Sequence, residues 1–500
     1  MSTQTGPEQP RPPETRSLPR ARSLAVAPQR LGLSLTVLSV ATFVAGLDLF
    51  IVNVAFDAIS QDFGGAALAD LSWVLNGYAI VFAALLVPLG RLSDRLGRKR
   101  VFVLGLALFT AASAACALAG GLWTLVVCRV LQAVGAAALT PASLGLLLSV
   151  FPAERRQAAV RVWSASAALA AAAGPVFGGL LVSASWRWVF LVNVPVGVLA
   201  LLVAVRVLPE SREATARHLP DLAGTCLLTG SIGLLALGLV KVNDWSAGLT
   251  STLVVVAAAG GAAFWRRSLR HPTPVIEPAL LRVRAFAWSN VTALVFTAAF
   301  AANLLTAILW MQQVWDYSAL RTGLGVAPGP LMVPVAALVA GRLAPRFTPG
   351  ALTAAGCLLC AVGAATLALS IGRTPHYATE LLPGWLIGGA GVGLALPTIL
   401  ASATADLPEA RFSTGSAVVN MSRQIGSVLG ISLLIAILGT PHTYDATHRA
   451  FVHAWVAIGA LMLLGAVAAL GMAPRPAAAG RLPAGPVEER PAHPLRRENP

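Results

Sequence analysis

The stretch GRLSDRLGRKR, residues 90–100, sits between two long apolar runs, residues 73–89 and 101–119. It carries five cationic side chains, Arg91, Arg95, Arg98, Lys99 and Arg100, against one acid, Asp94. Positive charge in a short loop between membrane-length apolar runs resists translocation, so the loop is expected on the cytoplasmic side. A weaker copy, GRLAPR, follows at residues 341–346, with Pro345 where Asp94 stood. The copy marks the chain as a duplication, and the loop sets its direction.

Composition agrees. The 500 residues are 56% hydrophobic and 11% charged, whereas soluble domains carry about 25% charge. The apolar residues come in blocks long enough to cross ~30 Å of hydrocarbon. The net charge of +15 does not imply nucleic acid, because the cations sit in short loops and tails rather than on one face. Nearly all of them are arginine, which fits a GC-rich bacterial genome. The five cysteines, Cys116, Cys128, Cys226, Cys357 and Cys360, lie inside apolar runs. They read as small core residues, without the further ligands that a metal or redox site needs. The proline- and arginine-rich residues 1–30 have no apolar core and are not a cleavable signal.

About fourteen apolar runs follow, from residues 31–56 to 451–472, the shortest being 251–265. Arginines collect at alternate loops: Arg155 and Arg156, Arg266 and Arg267, Arg282 and Arg284, Arg342 and Arg346, and Arg411. Both termini are therefore expected in the cytoplasm. Three features recur at offsets of about 250 residues: Gly90 with Gly341, Gly174 and Gly178 with Gly426 and Gly430, and Gly135 with Gly391. The expected architecture is an all-α membrane protein of two six-helix bundles, residues 31–208 and 285–472. A linker, 209–284, inserts two further helices between them, and cytoplasmic tails, 1–30 and 473–500, flank the whole. Parallel six-helix repeats place a substrate site near the midplane between halves.

Asp48 is the carboxylate deepest in any span, about 12 Å below the outer end at ~1.5 Å per residue. A charge there costs at least ~2.5 kcal/mol and persists only beside a cavity or a partner. Arg129, on the fourth span, lies about 10 Å down from its own outer end, level with Asp48. The two read either as a proton-operated switch or as a static ion pair. Gln132 follows Arg129 by one helical turn. Arg423, about 15 Å from the cytoplasmic end, is too deep to snorkel. It bonds backbone carbonyls or another helix, or meets a substrate, and Asn420 and Gln424 flank it. With Gln132, Trp163, Asn303, Trp310, Asn420 and Arg423 form the candidate lining of a substrate cavity. Gly174, Pro175, Gly178 and Gly179 make a small face where helices approach closely, as static glue or as a sliding surface. Tyr78 and Trp385 are further candidates for a cavity wall, and Trp186, Trp188 and Trp265 read as interfacial anchors.

Together these residues resemble the major facilitator superfamily, in its branch of fourteen-helix drug:proton antiporters. Gly90-Arg-Leu-Ser-Asp94-Arg95-Leu-Gly97-Arg98-Lys-Arg resembles the motif between helices two and three. Arg129-x-x-Gln132-Ala-x-Gly135 resembles the fourth-helix motif, and Gly174-Pro175-x-x-Gly178-Gly179 the antiporter motif of helix five. Leu47-Asp48-x-x-Ile51-Val52-Asn53 and Trp186-Arg-Trp-Val-Phe190-x-x-Asn193-x-Pro195 resemble stretches of the fourteen-helix branch. The resemblance implies proton coupling at Asp48 and Arg129, and a charge latch on the cytoplasmic side around Gly90, Asp94, Arg95, Gly97 and Arg98. Three positions depart from the pattern. Asp57 stands where the branch has proline, Asp316 replaces a glycine, and Pro345 removes the second acid.

The functional expectation is proton-coupled export of small lipophilic molecules across the cell membrane, with no cofactor beyond the proton gradient. No GxxxxGK[ST] segment is present to bind ATP. Expected partners are the substrate, protons and the bilayer, with no nucleic acid, no metal and no obligate protein. The alternatives are a dedicated exporter of one endogenous metabolite and a non-transporting sensor. An intramembrane enzyme is disfavoured, because no Ser/His or metal pair lies in the spans.

Overall fold

In a computed structural model, residues 28–212, 221–408 and 411–472 are described. All regular structure among them is helical. Of the two expected tails, residues 28–30 already belong to the first helix, and the remainder lies outside the described residues.

Fourteen helices are long and apolar enough to cross a membrane. In the first half these are α1 (Leu31–Asp62), α2 (Leu68–Leu96), α3 (Arg98–Ala117), α4 (Leu122–Val150), α5 (Glu154–Val182) and α6 (Trp188–Val207). The inserted pair is α7 (Leu222–Val240) and α8 (Ala247–Ser268). The second half holds α9 (Arg284–Gln313), α10 (Ala319–Leu343), α11 (Pro349–Ser370), α12 (Leu382–Ala405), α13 (Thr414–Leu438) and α14 (Tyr444–Leu470). The shortest expected run, 251–265, is in fact part of a helix of 22 residues, so α8 is long enough to cross. The first span runs six residues further than its apolar composition indicates. It passes through a 3-10 turn, Val52–Ala55, before ending at Asp62. Asn53 favours that turn by donating its side-chain amide to the Leu49 and Phe50 carbonyls.

Residues 90–100 close α2 and open α3. Gly97 stands between them at φ +116°, a conformation that side chains with a Cβ avoid. Its amide still reaches the Ser93 carbonyl at 3.0 Å and ends the helix.

The two halves pair their helices alike. In the first, α1 packs on α5, α2 on α4, α3 on α4 and α6, and α1 on α6. In the second, α9 packs on α13, α10 on α12, α11 on α12 and α14, and α9 on α14. Matching glycines make the matching approaches. A Cβ on Gly105 would sit 2.9 Å from the Gly135 carbonyl oxygen, and one on Gly356 would sit 2.6 Å from that of Gly391. Gly174 and Gly178 press α5 against Phe50 and Ile51 of α1, as Gly426 and Gly430 press α13 against Leu294 and Ala298 of α9. Small residues at these seams let backbones touch, which is how helices gain van der Waals contact in lipid.

Between the halves, α2 packs along α13, where Asn76 donates to Ser432 at 3.1 Å. The other seam joins α5 to α10 on one side only. α5 packs against the first segment of α10, Ala319–Val326, and scarcely touches the second, Pro328–Leu343. Chain direction puts Pro328–Leu343 toward the end bearing the arginine loops, hereafter the basic end. The halves thus close at the opposite end and part toward the basic end. Of the inserted pair, α7 lies over the α2–α13 seam, while α8 packs on α7 and is largely exposed. Lys241, just past α7, pairs with Asp70 of α2 at 2.8 Å. Asn243 donates to the Ala436 carbonyl of α13 at 2.8 Å.

Candidate functional site

Asp48 projects from the middle of α1 into the interior of the first bundle and has no exposed surface. Its Oδ2 accepts a hydrogen bond and an ion pair from Arg129 of α4. Its Oδ1 accepts from Gln132 Nε2 at 2.8 Å and from Asn193 Nδ2 of α6 at 3.0 Å. Gln132 also donates to Ser113 Oγ of α3 at 2.8 Å, and its carbonyl oxygen accepts from Arg129 at 2.7 Å. Arg129 Nε reaches the Val74 carbonyl of α2 at 3.2 Å. The guanidinium lies over the Tyr78 ring, 4.1 Å from its centre, with the Phe190 ring at 5.7 Å. One carboxylate therefore gathers groups from α1, α2, α3, α4 and α6. Charge-assisted hydrogen bonds of this kind are roughly twice as strong as neutral ones, and the dry surroundings strengthen them further.

The level placement of Asp48 and Arg129 on different helices is realised as a direct pair. Gln132 does not line a substrate cavity; it is fully buried and completes the shell of Asp48. Trp310 is likewise no cavity wall. It is fully buried in the second bundle against Phe451 and Trp455, with ring centres at 5.1 and 5.9 Å. An aromatic ring in an apolar helix gains as much area in a core as in a cavity, so composition could not separate the two. Trp186 is a buried residue, not an interfacial anchor, and donates to Asp62 at 3.0 Å. Trp188 and Trp265 are exposed.

The other cavity candidates remain partly accessible. Trp163 is half-buried on the basic half of α5 and donates to Ser143 Oγ of α4 at 3.1 Å. Asn303 is half-buried, and its side-chain oxygen has no hydrogen-bond partner. Arg423 donates to Asn420 one turn back at 3.0 Å, while its Nε is buried without a partner. The Arg423 carbonyl accepts from Thr297 of α9 at 2.9 Å.

The gating candidates fall into two groups at opposite ends. At the closed end, a Cβ on Gly178 would meet the Ile51 carbonyl, and one on Gly179 the backbone of Ala319 and Leu320. The Pro175 carbonyl lies directly against Gly323 of α10. At the basic end, Gly90 packs on Pro141, and Asp94 pairs with Arg98 at 2.7 Å. Arg98 also reaches the Gly145 carbonyl at 3.5 Å, and Arg95 is exposed. In the second copy, Arg342 and Arg346 are exposed and form no ion pair among the described residues. The Asp94–Arg98 pair of the first copy thus has no counterpart among the described residues of the second, where Pro345 replaces the acid. Among the described residues no group of acids, histidines or cysteines is placed to hold a metal.

The sequence profile of the Major Facilitator Superfamily matches residues 38–431. The chain belongs to this superfamily. It is 31% identical over 449 residues to a methylenomycin A resistance protein of Streptomyces coelicolor, covering 89% of this chain and 93% of that protein. It is 33% identical over 413 residues to a tetracenomycin C resistance and export protein of Streptomyces glaucescens, covering 81% and 76%. Among solved structures, a POT family transporter crystallised with 5-aminolevulinic acid superposes with a TM-score of 0.64 at 15% identity, covering 88% and 95%. That likeness shows the fold.

In this superfamily member the acid's shell is larger than its sequence motifs indicate. Asn193 and Ser113 were not among the expected site residues. Asn193 stood in the resemblance stretch Trp186–Pro195 without a role, whereas Ser113 offered only a polar side chain inside the apolar run of α3, and such residues are common where they merely bond their own helix. Ser113 does that as well, donating to the Phe109 carbonyl at 2.8 Å.

Proposed function

We propose that this protein exports small lipophilic molecules, antibiotics among them, in exchange for protons. It would act in the plasma membrane with its basic end and both termini in the cytoplasm, as its loop arginines favour. The observation that carries the reading is the Asp48 shell. A buried ion pair is a weak source of stability, since apolar side chains of the same volume serve as well or better. A lone carboxylate held by Arg129, Gln132 and Asn193 is better explained as a group that changes charge.

Protonation of Asp48 removes the charge on which these donors converge. The hold of α1 on α4 and α6 then weakens. Asp48 lies one turn from Ile51, which packs on Gly178, and the neighbouring Gly179 meets Ala319 at the closed seam. Loading the acid is thereby coupled to the seam between halves. In the conformation described here the carboxylate has no exposed surface, and we assign proton exchange to another state of the cycle. This is the behaviour that alternating access requires. Substrate would enter between α5 and α10 from the basic end, near Trp163, Asn420 and Arg423, and bind mainly through apolar area.

Inverted vesicles with an imposed pH gradient and a panel of labelled lipophilic compounds test the proposal. Asp48→Asn is expected to insert normally and to lose gradient-driven accumulation. Uptake equal to that of the unaltered protein would remove Asp48 from the mechanism. A second reading, export of one endogenous metabolite, is favoured by relatives named for single antibiotics. Accumulation of one compound from the panel, with the rest excluded, would select it.

A further inference from the structure

Arg129 and Arg423 both carry a positive charge deep inside a spanning helix, and the structure answers the first with Asp48. Arg423 of α13 forms no ion pair among the described residues. Its Nη1 donates to Asn420 Oδ1 at 3.0 Å, a neutral acceptor on its own helix. Its Nη2 makes no hydrogen bond among the described residues and, unlike the buried Nε, keeps accessible surface. The guanidinium is always charged and has five donor hydrogens, so most of its capacity is unused. Gln424, the next residue, also makes no side-chain hydrogen bond there, and both of its polar atoms are accessible.

Ser416, Asn420, Arg423, Gln424 and Ser427 are all partly accessible. They share one face of α13, at the three- and four-residue spacing of a helix. The seams of this helix are made by other side chains. Ser422, Gly426 and Gly430 meet α9, and Ser432 meets α2. α13 also touches α4 of the first half and α12 of the second, while α7 covers the seam with α2. A cation among four polar side chains would be costly against lipid tails. The polar face therefore borders the space that parts the halves toward the basic end, with Arg423 about 15 Å inside it at ~1.5 Å per residue.

We infer that Arg423 anchors an anionic head group on the exported molecule, and that the preferred substrates are lipophilic carboxylates. The inference deepens the export reading, on which its place in the transport cycle rests. A carboxylate brings the charge that the surrounding helices lack. Its two oxygens match the planar fork of a guanidinium, and the free amide of Gln424 offers a further donor beside it. A neutral ligand would leave the arginine uncompensated in a largely dry site, which is unfavourable. The apolar remainder of the substrate then fills the gap between the halves.

The test is equilibrium binding of radiolabelled phenylbutyrate to the purified full chain in neutral detergent, at a pH where the acid is ionised. Phenylbutanamide, which lacks the charge, and acetate, which lacks the apolar body, are the comparisons. Phenylbutyrate is expected to bind at least about tenfold more tightly than either, the worth of one hydrogen bond to a charged group. Arg423→Gln should weaken phenylbutyrate by about tenfold and leave the amide unchanged, which also shows that the variant is folded. Arg423→Lys keeps the charge without the fork and should keep part of the preference. The inference is overturned if the unaltered protein binds amide or acetate as tightly as phenylbutyrate. It is also overturned if Arg423→Gln weakens acid and amide alike, the mark of an arginine that only supports the fold. Uptake into inverted vesicles separates the two claims. A binding preference for the acid without gradient-driven accumulation would uphold the site and sink the export reading. Accumulation of the amide with no binding preference would do the reverse.

Discussion

Arg129 and Asp48 are each buried without exposed surface, so neither tolerates loss of the other alone. Removing one partner of a buried pair costs about 3–5 kcal/mol, because the remaining charge is left uncompensated. Arg129→Gln is therefore expected to lower the thermal midpoint and the folded yield in detergent. Adding Asp48→Asn to it removes the stranded charge and should restore most of the stability, leaving gradient-driven transport absent. A double-mutant cycle of thermal midpoints measures this coupling. Additive losses would show that the two groups do not depend on each other. These two residues were legible in the sequence because a charge in hydrocarbon needs a reason, and helical rise set both at one depth. Gln132 was legible as a neighbour of Arg129 but not as a ligand of Asp48, since helix spacing gives a face without saying what that face meets. Asn193 stood in the resemblance stretch Trp186–Pro195 but had no assigned role, since the sequence does not say which helix α6 packs against.

At the scale of helices, the glycines divide by what surrounds them. A Cβ on Gly430 of α13 would collide with the Ala298 carbonyl of α9, whereas one on Gly261 of α8 has nothing within 4 Å. Gly430→Val is expected to force α9 and α13 apart at a cost of about 1–3 kcal/mol, the usual range for overpacking. Gly261→Ala should be neutral or slightly stabilising, given alanine's higher helix propensity. Thermal unfolding of the two variants, followed by size-exclusion retention, checks the contrast; equal midpoints would refute it. The repeat behind this packing could be read from glycine spacing near 250 residues, because close approach leaves a mark that few other residues can replace. Helix ends were read less well. The end of α1 at Asp62 falls beyond the apolar run, since a 3-10 turn and polar residues continue the helix where hydropathy has already dropped. The span of α8 was also read too short, because its arginines and small residues dilute the apolar signal.

Across the whole molecule, the sequence pattern led to two bundles and an inserted pair but gave no indication of which end of the assembly was shut. That depends on contacts between residues more than a hundred positions apart, such as Gly323 with Pro175 and Gln312 with Val54. A counterpart at the basic end comes from the linker. Glu277 reaches Arg91 of the first half at 3.2 Å and Arg411, just before α13, at 3.8 Å. Arg91 also donates to the Pro274 carbonyl at 2.6 Å. The linker therefore grips both halves beside the α2–α13 seam. If the halves rock about that seam, the separation of Arg91 from Arg411 changes, and one carboxylate spans it best in the conformation described here. Only a contact made unequally in two states can bias them. The pair is partly exposed, so its share is modest, about 0.2–1 kcal/mol. Glu277→Gln is accordingly expected to shift the population away from the closed α5–α10 seam by up to about fivefold. Spin labels on α5 and α10 at that end would report the shift as a longer distance component in pulsed dipolar spectra. An unchanged distance distribution would mean that the linker holds the halves equally in every state, and that its role is to fasten α7 over the seam.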